Sequence, residues 1–221
     1  MPQFDYYKIM NIFKKRVQII PLGQNCIPRT ILTRWKIKPS KLQGELTYPF
    51  DLAVFGIPEI TKTLKTDFKE FFWNLSLHEE GNKSYWIKEP DCILFSHDKN
   101  LKTKEALIET YTRRIENFRK ALLNPMPAIF VQILSVDEEI NQQYKELLKL
   151  RHDRPFIFAV IDTQDVVKNI CDDNIKILKL PYPNENYKNN WWKKEYYNSK
   201  AGKAFEKQIA DFVREIIIKG M

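Results

Sequence analysis

The chain has 221 residues, 43% of them hydrophobic, which is enough to build a sizeable core in one large domain or two small ones. Six glycines and no glycine-rich fingerprint exclude the common phosphate-cradling loops. The formal charge of +8 comes from 36 basic and 28 acidic residues mixed along the whole chain, so it reads as a solvated surface and not as a specific nucleic-acid face.

The first segment, residues 1–15, is aromatic but broken by charges, and reads as a short docking helix or a disordered lead. An apolar run follows (Val17, Ile19, Ile20, Leu22) and predicts a buried strand that stops at Gly23. After Gln24 and Asn25 comes Cys26, then Ile27, Ile31, Leu32 and Trp35 at helical spacing. Cys26 therefore sits where a strand becomes a helix. Unpartnered N–H groups and the positive end of the helix dipole favour a thiolate there. Pro28 suits the first helical turn. Gln24 and Asn25 precede the thiol closely enough to bind substrate, and the Gln24 amide is placed to hold an oxyanion. The alternative is a small apolar filler at a tight turn.

The polar stretch Lys36–Thr47 reads as a loop. Asp51 then falls within an apolar setting, Tyr48 to Phe55, where a carboxylate needs partners, so it is a structural anchor or part of a site. Ile60, Leu64, Phe68 and Phe71 or Phe72 predict a helix opened by Pro58. Asn74–Lys88 reads as irregular. The short run Cys92–Phe95 ends abruptly at Ser96-His97-Asp98, and a histidine just past a strand end is placed to face a cleft. Asp98 is positioned to orient that ring or to cap the next helix; a surface histidine opening a loop is the alternative. His78 and His152 sit among charges and read as solvent-facing.

A long helix, about Thr103–Leu123, has Leu107, Tyr111, Ile115, Phe118 and Leu122 on one face. Arg113 and Arg114 are assigned to its polar side, available to grip an anion. Three continuous apolar runs follow (Ala128–Leu134, Pro155–Ile161, Ile175–Leu180), the first two separated by a helix-like segment, Asp137–Leu150, and the last two by Asp165–Cys171. This order predicts a single α/β domain over residues 1–221, a three-layer sandwich whose mostly parallel central sheet is flanked by helices. Asp162 follows a strand at the edge where open sheets place their sites, which makes it a second candidate to orient His97. Pro181–Tyr197 is polar and aromatic. Trp191 and Trp192 there suit a lid, a sugar-stacking surface or a partner patch, or else pack back onto the domain. A helix from about Ala201 ends the chain, with Phe205, Ile209, Phe212 and Ile216 on its buried face.

Cys26, Cys92 and Cys171 are widely spaced, and an odd count argues against a disulfide scaffold and suits a reducing, cytoplasmic location. No CxxC or HxxxH spacing suggests a metal site. No apolar run is long enough to span a bilayer.

Leu22-Gly23-x-x-Cys26, Tyr48-Pro49-Phe50-Asp51, His97-Asp98, the Arg-bearing helix and the strand around Ile129-Phe130-Val131 occur in an order that resembles a bacterial family of papain-like cysteine peptidases. Each motif is short; the combination is what is specific, and it extends from about Val17 to the last helix. The resemblance implies Cys26 as nucleophile and His97 as base. Where family members carry an arginine late in the strand, this chain has Gln132, so no anion-binding role transfers to that position. The alternating α/β order is closer to SGNH-type hydrolases and to cysteine-containing capsule acyltransferases than to papain itself. Three functions remain open. The first is a Cys–His hydrolase or acyl transferase acting on a peptide, ester or glycan without a bound cofactor. The second is acyl transfer to a surface polysaccharide from a coenzyme A donor. The third is a basic, non-enzymatic binding module.

Overall fold

The structure, a computed structural model, describes residues 17–81, 83–90, 93–98, 101–133 and 136–219. The segment 1–15 and Cys92 lie outside the described residues. Strand β1 (Gln18–Pro21) leads into α1 (Ile27–Arg34), and short 3-10 turns at Lys41–Gln43 and Pro49–Asp51 precede α2 (Ile57–Lys65). A hairpin, β2 (Leu75–Glu80) and β3 (Lys83–Lys88), is followed by β4 (Ile93–Phe95) and α3 (Lys104–Leu123). Then β5 (Ala128–Ile133), α4 (Asp137–Arg151), β6 (Phe156–Asp162) and β7 (Ile175–Lys179) alternate. Helices α5 (Glu185–Asn190), α6 (Lys194–Tyr197) and α7 (Lys200–Lys219) complete the chain.

The fold is α/β. Four parallel strands form a sheet in the order β1-β5-β6-β7, and β2-β3-β4 form a separate antiparallel sheet. Every residue of β5 and β6 is buried, which is why their sequences are continuous apolar runs instead of alternating ones. On one face, Ile20, Phe130 and Phe158 pack with Leu64 of α2, Phe118 of α3 and Leu147 of α4. On the other, Ile19, Val131 and Ala159 pack with Ile31 of α1 and with Phe205, Ile209 and Val213 of α7.

The predicted apolar face of α3 is buried throughout. At α7 the pattern shifts by one residue: Val213 is buried in the core and Phe212 is half-buried beside it. The irregular reading of Asn74–Lys88 is overturned. That stretch is the β2–β3 hairpin, turned at Gly81 with φ +58, and it registers Leu77 against Trp86. Its alternation is hard to see because β2 is half exposed on both faces. Trp86 anchors it, buried against the core and donating its indole N–H to the Leu101 carbonyl at 2.8 Å. The Pro181–Tyr197 stretch is partly helical, and α5 is capped by Asn184, whose side chain accepts the Tyr187 N–H at 2.8 Å.

Arg151 is fully buried at the end of α4, and its guanidinium donates to four carbonyls: Ala121 and Leu122 of α3, Met126 and Pro155. It thereby joins the end of one helix to the approaches of β5 and β6. Burial, then the charge of Arg154, pulls its pKa down to about 10, so it remains a cation at neutral pH. Its neighbour His152 is exposed and left-handed at the helix end.

Candidate active site

The turn after β1 requires glycine: a Cβ on Gly23 would stand 2.0 Å from the Asn25 carbonyl oxygen. That close approach lets the chain reverse from strand to helix within three residues. The Asn25 side chain accepts the Ile27 N–H at 2.9 Å, and the Cys26 carbonyl accepts the Thr30 N–H at 3.0 Å. Cys26 is thus the N-cap of α1, 7% exposed. The far end of α1 is fixed by Glu206 of α7, a buried carboxylate that accepts from Arg34, from the Trp35 indole at 2.9 Å and from the Tyr187 hydroxyl at 3.0 Å.

His97 comes from the other sheet, two residues past β4. The Cys26 sulfur and His97 Nε2 are 3.0 Å apart, within hydrogen-bonding distance. The short segment Val54-Phe55 holds the two elements together. Val54 exchanges both backbone hydrogen bonds with Leu94, at 2.8 and 2.9 Å, and the next residue, Phe55, donates its N–H to the Gln24 carbonyl at 2.8 Å. One peptide unit therefore ties the strand that carries His97 to the turn that carries Cys26.

The electrostatics do not produce the lowered thiol pKa that a helix N-terminus suggests. Burial pushes the Cys26 thiol up and is the largest influence; its own backbone N–H, the Arg29 charge and the Thr30 hydroxyl pull it back, while Asp51 raises it. The helix end is worth only about 0.3–1 kcal/mol when exposed, too little to overcome desolvation. Forming the thiolate here depends on a proton acceptor at the sulfur, and His97 Nε2 occupies that position.

One turn into α1 lies a buried ionic cluster. Arg29 Nη2 is 3.0 Å from Glu45 and its Nε 3.7 Å from Asp51, and Lys38 Nζ is 2.6 Å from the other Glu45 oxygen. Asp51 accepts the Tyr48 N–H at 2.8 Å, closing the turn at Pro49–Asp51 in a capping box. Its carboxyl is pushed up to about 6, by burial above all and by Glu45, against the opposing effects of Lys38, the Tyr48 N–H and Arg29. Asp51 anchors structure around the site.

Several residues named from the sequence sit elsewhere than expected. Asp98 directs its carboxylate into α3, accepting from the Tyr111 hydroxyl and from both terminal nitrogens of Arg114, each at 2.8 Å. It anchors the backbone next to His97. Asp162 accepts the N–H groups of Gln164 at 3.1 Å and Val167 at 2.9 Å, so its carboxylate shapes the loop after β6. Arg113 is exposed on α3, whereas Arg114, also assigned to the polar side, is buried. The helical period contained that signal, since Arg114 lies three residues from Tyr111 and four from Phe118. The Ile27 N–H, at the start of the helix, is engaged by the Asn25 side chain. The backbone of Gln24 is fixed through Phe55. Trp191 is 8% exposed in the core beneath α7, while Trp192 is 55% exposed and borders a cleft that reaches His97. Among the described residues, no group of three or more His, Cys, Asp or Glu side chains is arranged to hold a metal, and no helix is long and apolar enough to cross a membrane.

The thiol that caps α1 after the first sheet strand thus meets an imidazole brought to it from a distant strand. Compared with known families, residues 17–154 match the one described as "Putative papain-like cysteine peptidase (DUF1796)". The chain belongs to this family. The match includes Cys26, Asp51, His97, Asp98 and Arg114, and ends before Asp162 and the tryptophan pair. No curated protein and no solved structure matches the chain.

Proposed function

We propose that the protein is a cysteine-dependent hydrolase of amide or ester bonds, with Cys26 as nucleophile and His97 as general base and acid. The observation that carries this reading is the 3.0 Å approach of Cys26 Sγ to His97 Nε2, two residues 71 positions apart in sequence. The thiol proton passes to Nε2, and the sulfur attacks the substrate carbonyl carbon. The tetrahedral intermediate collapses as the bond to the leaving nitrogen or oxygen breaks, and His97 returns the proton to that atom. The resulting thioester is cleaved by water, which His97 deprotonates; the water oxygen bonds to the carbonyl carbon and the thiolate departs, regaining the proton. If a hydroxyl or amine in place of water attacks the thioester, the same residues perform acyl transfer.

Intact-mass measurement after rapid acid quench, with an activated ester as substrate, tests the reading. The expected result is an acyl adduct on the natural chain that maps to Cys26, and none on Cys26→Ala. Turnover that persists in Cys26→Ala would refute it. Turnover that rises only on adding an acceptor alcohol or amine would assign transfer instead of hydrolysis.

A further inference from the structure

Beside His97 lies a cleft of about 1080 Å³, large enough for several residues of an extended chain. It is lined by one face of the small sheet, where Ile87 and Leu94 are cross-strand neighbours and Tyr85 stands two residues before Ile87 in β3. Val54 adjoins Leu94 through the same bridge that braces the dyad, and Trp192 also lines the cleft. The apolar strip is flanked by carboxylates: Glu80 where β2 ends at the hairpin turn, and Glu89 just past β3. In a chain of net charge +8, the acidic side chains among the described lining residues are these two glutamates, and no described lining residue is a Lys or Arg. Glu89 keeps 60% of its side chain exposed, with His78 Nε2 at 3.7 Å. Glu80 pairs in register with Lys83, six residues before Glu89, so the carboxylates are separated by roughly 20 Å of strand.

Resting on the hydrolase reading, we infer that this cleft selects cationic peptide segments, seating apolar side chains on Tyr85, Ile87, Leu94 and Trp192 and basic side chains at Glu80 and Glu89. The apolar strip supplies contact area and the two carboxylates choose the sign of the charge. An extended peptide rises at the same rate as the strand beneath it, so basic residues near both ends of a short apolar stretch match the spacing. In a chain of net charge +8, two carboxylates at the cleft give a basic substrate a local attraction that the net charge opposes.

The test separates binding from cleavage. Cys26→Ala is titrated with a fluorescein-labelled octapeptide carrying a lysine near each end and leucine and valine between them, and with the same peptide carrying glutamates or glutamines. The lysine peptide should bind about tenfold more tightly than the glutamate peptide, with the gap narrowing in high salt. Adding Glu80→Gln and Glu89→Gln should weaken the lysine peptide about fivefold and leave the glutamine peptide within about twofold. Equal affinity for the two charged peptides, or a lysine preference that survives both substitutions, would overturn the inference. The natural enzyme is assayed on the same peptides. Selective binding without cleavage would leave the cleft assignment standing and remove the hydrolase reading. Cleavage without charge preference would do the reverse.

Discussion

The two sheets contribute unequally. The parallel sheet is buried on both faces and leads from the end of β1 to Cys26. The antiparallel sheet is half exposed; it leads to His97 and lines the cleft. Cys26 therefore has a buried setting that opposes its ionisation, whereas His97 and the cleft stand on an exposed surface. Neither sheet holds a complete site. The peptide unit at Val54-Phe55 joins the two, and the clamp from Asp98 to α3 holds the chain beside His97.

The sharpest way to break this division of labour is at the dyad. Cys26→Ala should abolish turnover of peptide or ester, and His97→Ala should lower kcat by about 10²–10⁴, while urea titration shows little change in folding for the exposed His97. The clamp comes next. The side chains of Arg114 and Asp98 are 10% and 9% exposed, so removing one partner strands a nearly buried charge. Arg114→Met should cost roughly 3–5 kcal/mol in urea unfolding and lower kcat as well. Replacing Asp98 with Leu in the same chain should recover stability without recovering rate.

The tryptophans test the contrast between core and cleft. Trp191→Ala should destabilise the fold by about 3–5 kcal/mol. Trp192→Ala should stay within about 0.5 kcal/mol of the natural chain in urea and raise KM. A pH-dependent effect concerns Asp51. Its carboxyl, raised to about 6 by burial, keeps a proton in the folded state that the unfolded chain releases near pH 4. Stability from this group is therefore present at low pH and is lost as pH rises from roughly 4 to 6. Asn in its place can still accept the Tyr48 N–H and has no such proton. Between pH 4 and 7 the natural chain should lose about 2–3 kcal/mol relative to Asp51→Asn, measured by urea titration at each pH.

The parallel sheet was legible in the sequence because strands covered on both faces are apolar almost throughout: Pro155–Ile161 is wholly apolar, and Val17–Leu22 and Ala128–Leu134 are each broken by one glutamine, Gln18 and Gln132. The turn at Cys26 was legible for a related reason: an apolar run, a glycine and a helical period meet there. The hairpin was not, although Gly81-Asn82 is a two-residue turn signal, because a half-exposed strand alternates only weakly. Adjacency misled at three points. Asp98 follows His97 in the chain but turns its carboxylate to Arg114; Arg113 is exposed while Arg114, the next residue of the same helix, is buried; Trp191 and Trp192 divide between core and cleft. Side-chain direction in loops and at helix ends is set by partners distant in sequence, and such pairs leave no local pattern.

The most direct test of the central claim is the rate of Cys26 alkylation by iodoacetamide against pH, resolved by peptide mass spectrometry, in the natural chain and in His97→Ala. Exposed Cys171 serves as the internal control. With His97 accepting the proton, Cys26 should react at neutral pH; in His97→Ala, where burial alone governs the thiol, its reaction should fall at least tenfold and move to pH above the ordinary thiol value of about 8.5. Identical pH profiles for Cys26 in the two proteins would show that His97 does not activate the thiol, and would contradict the account.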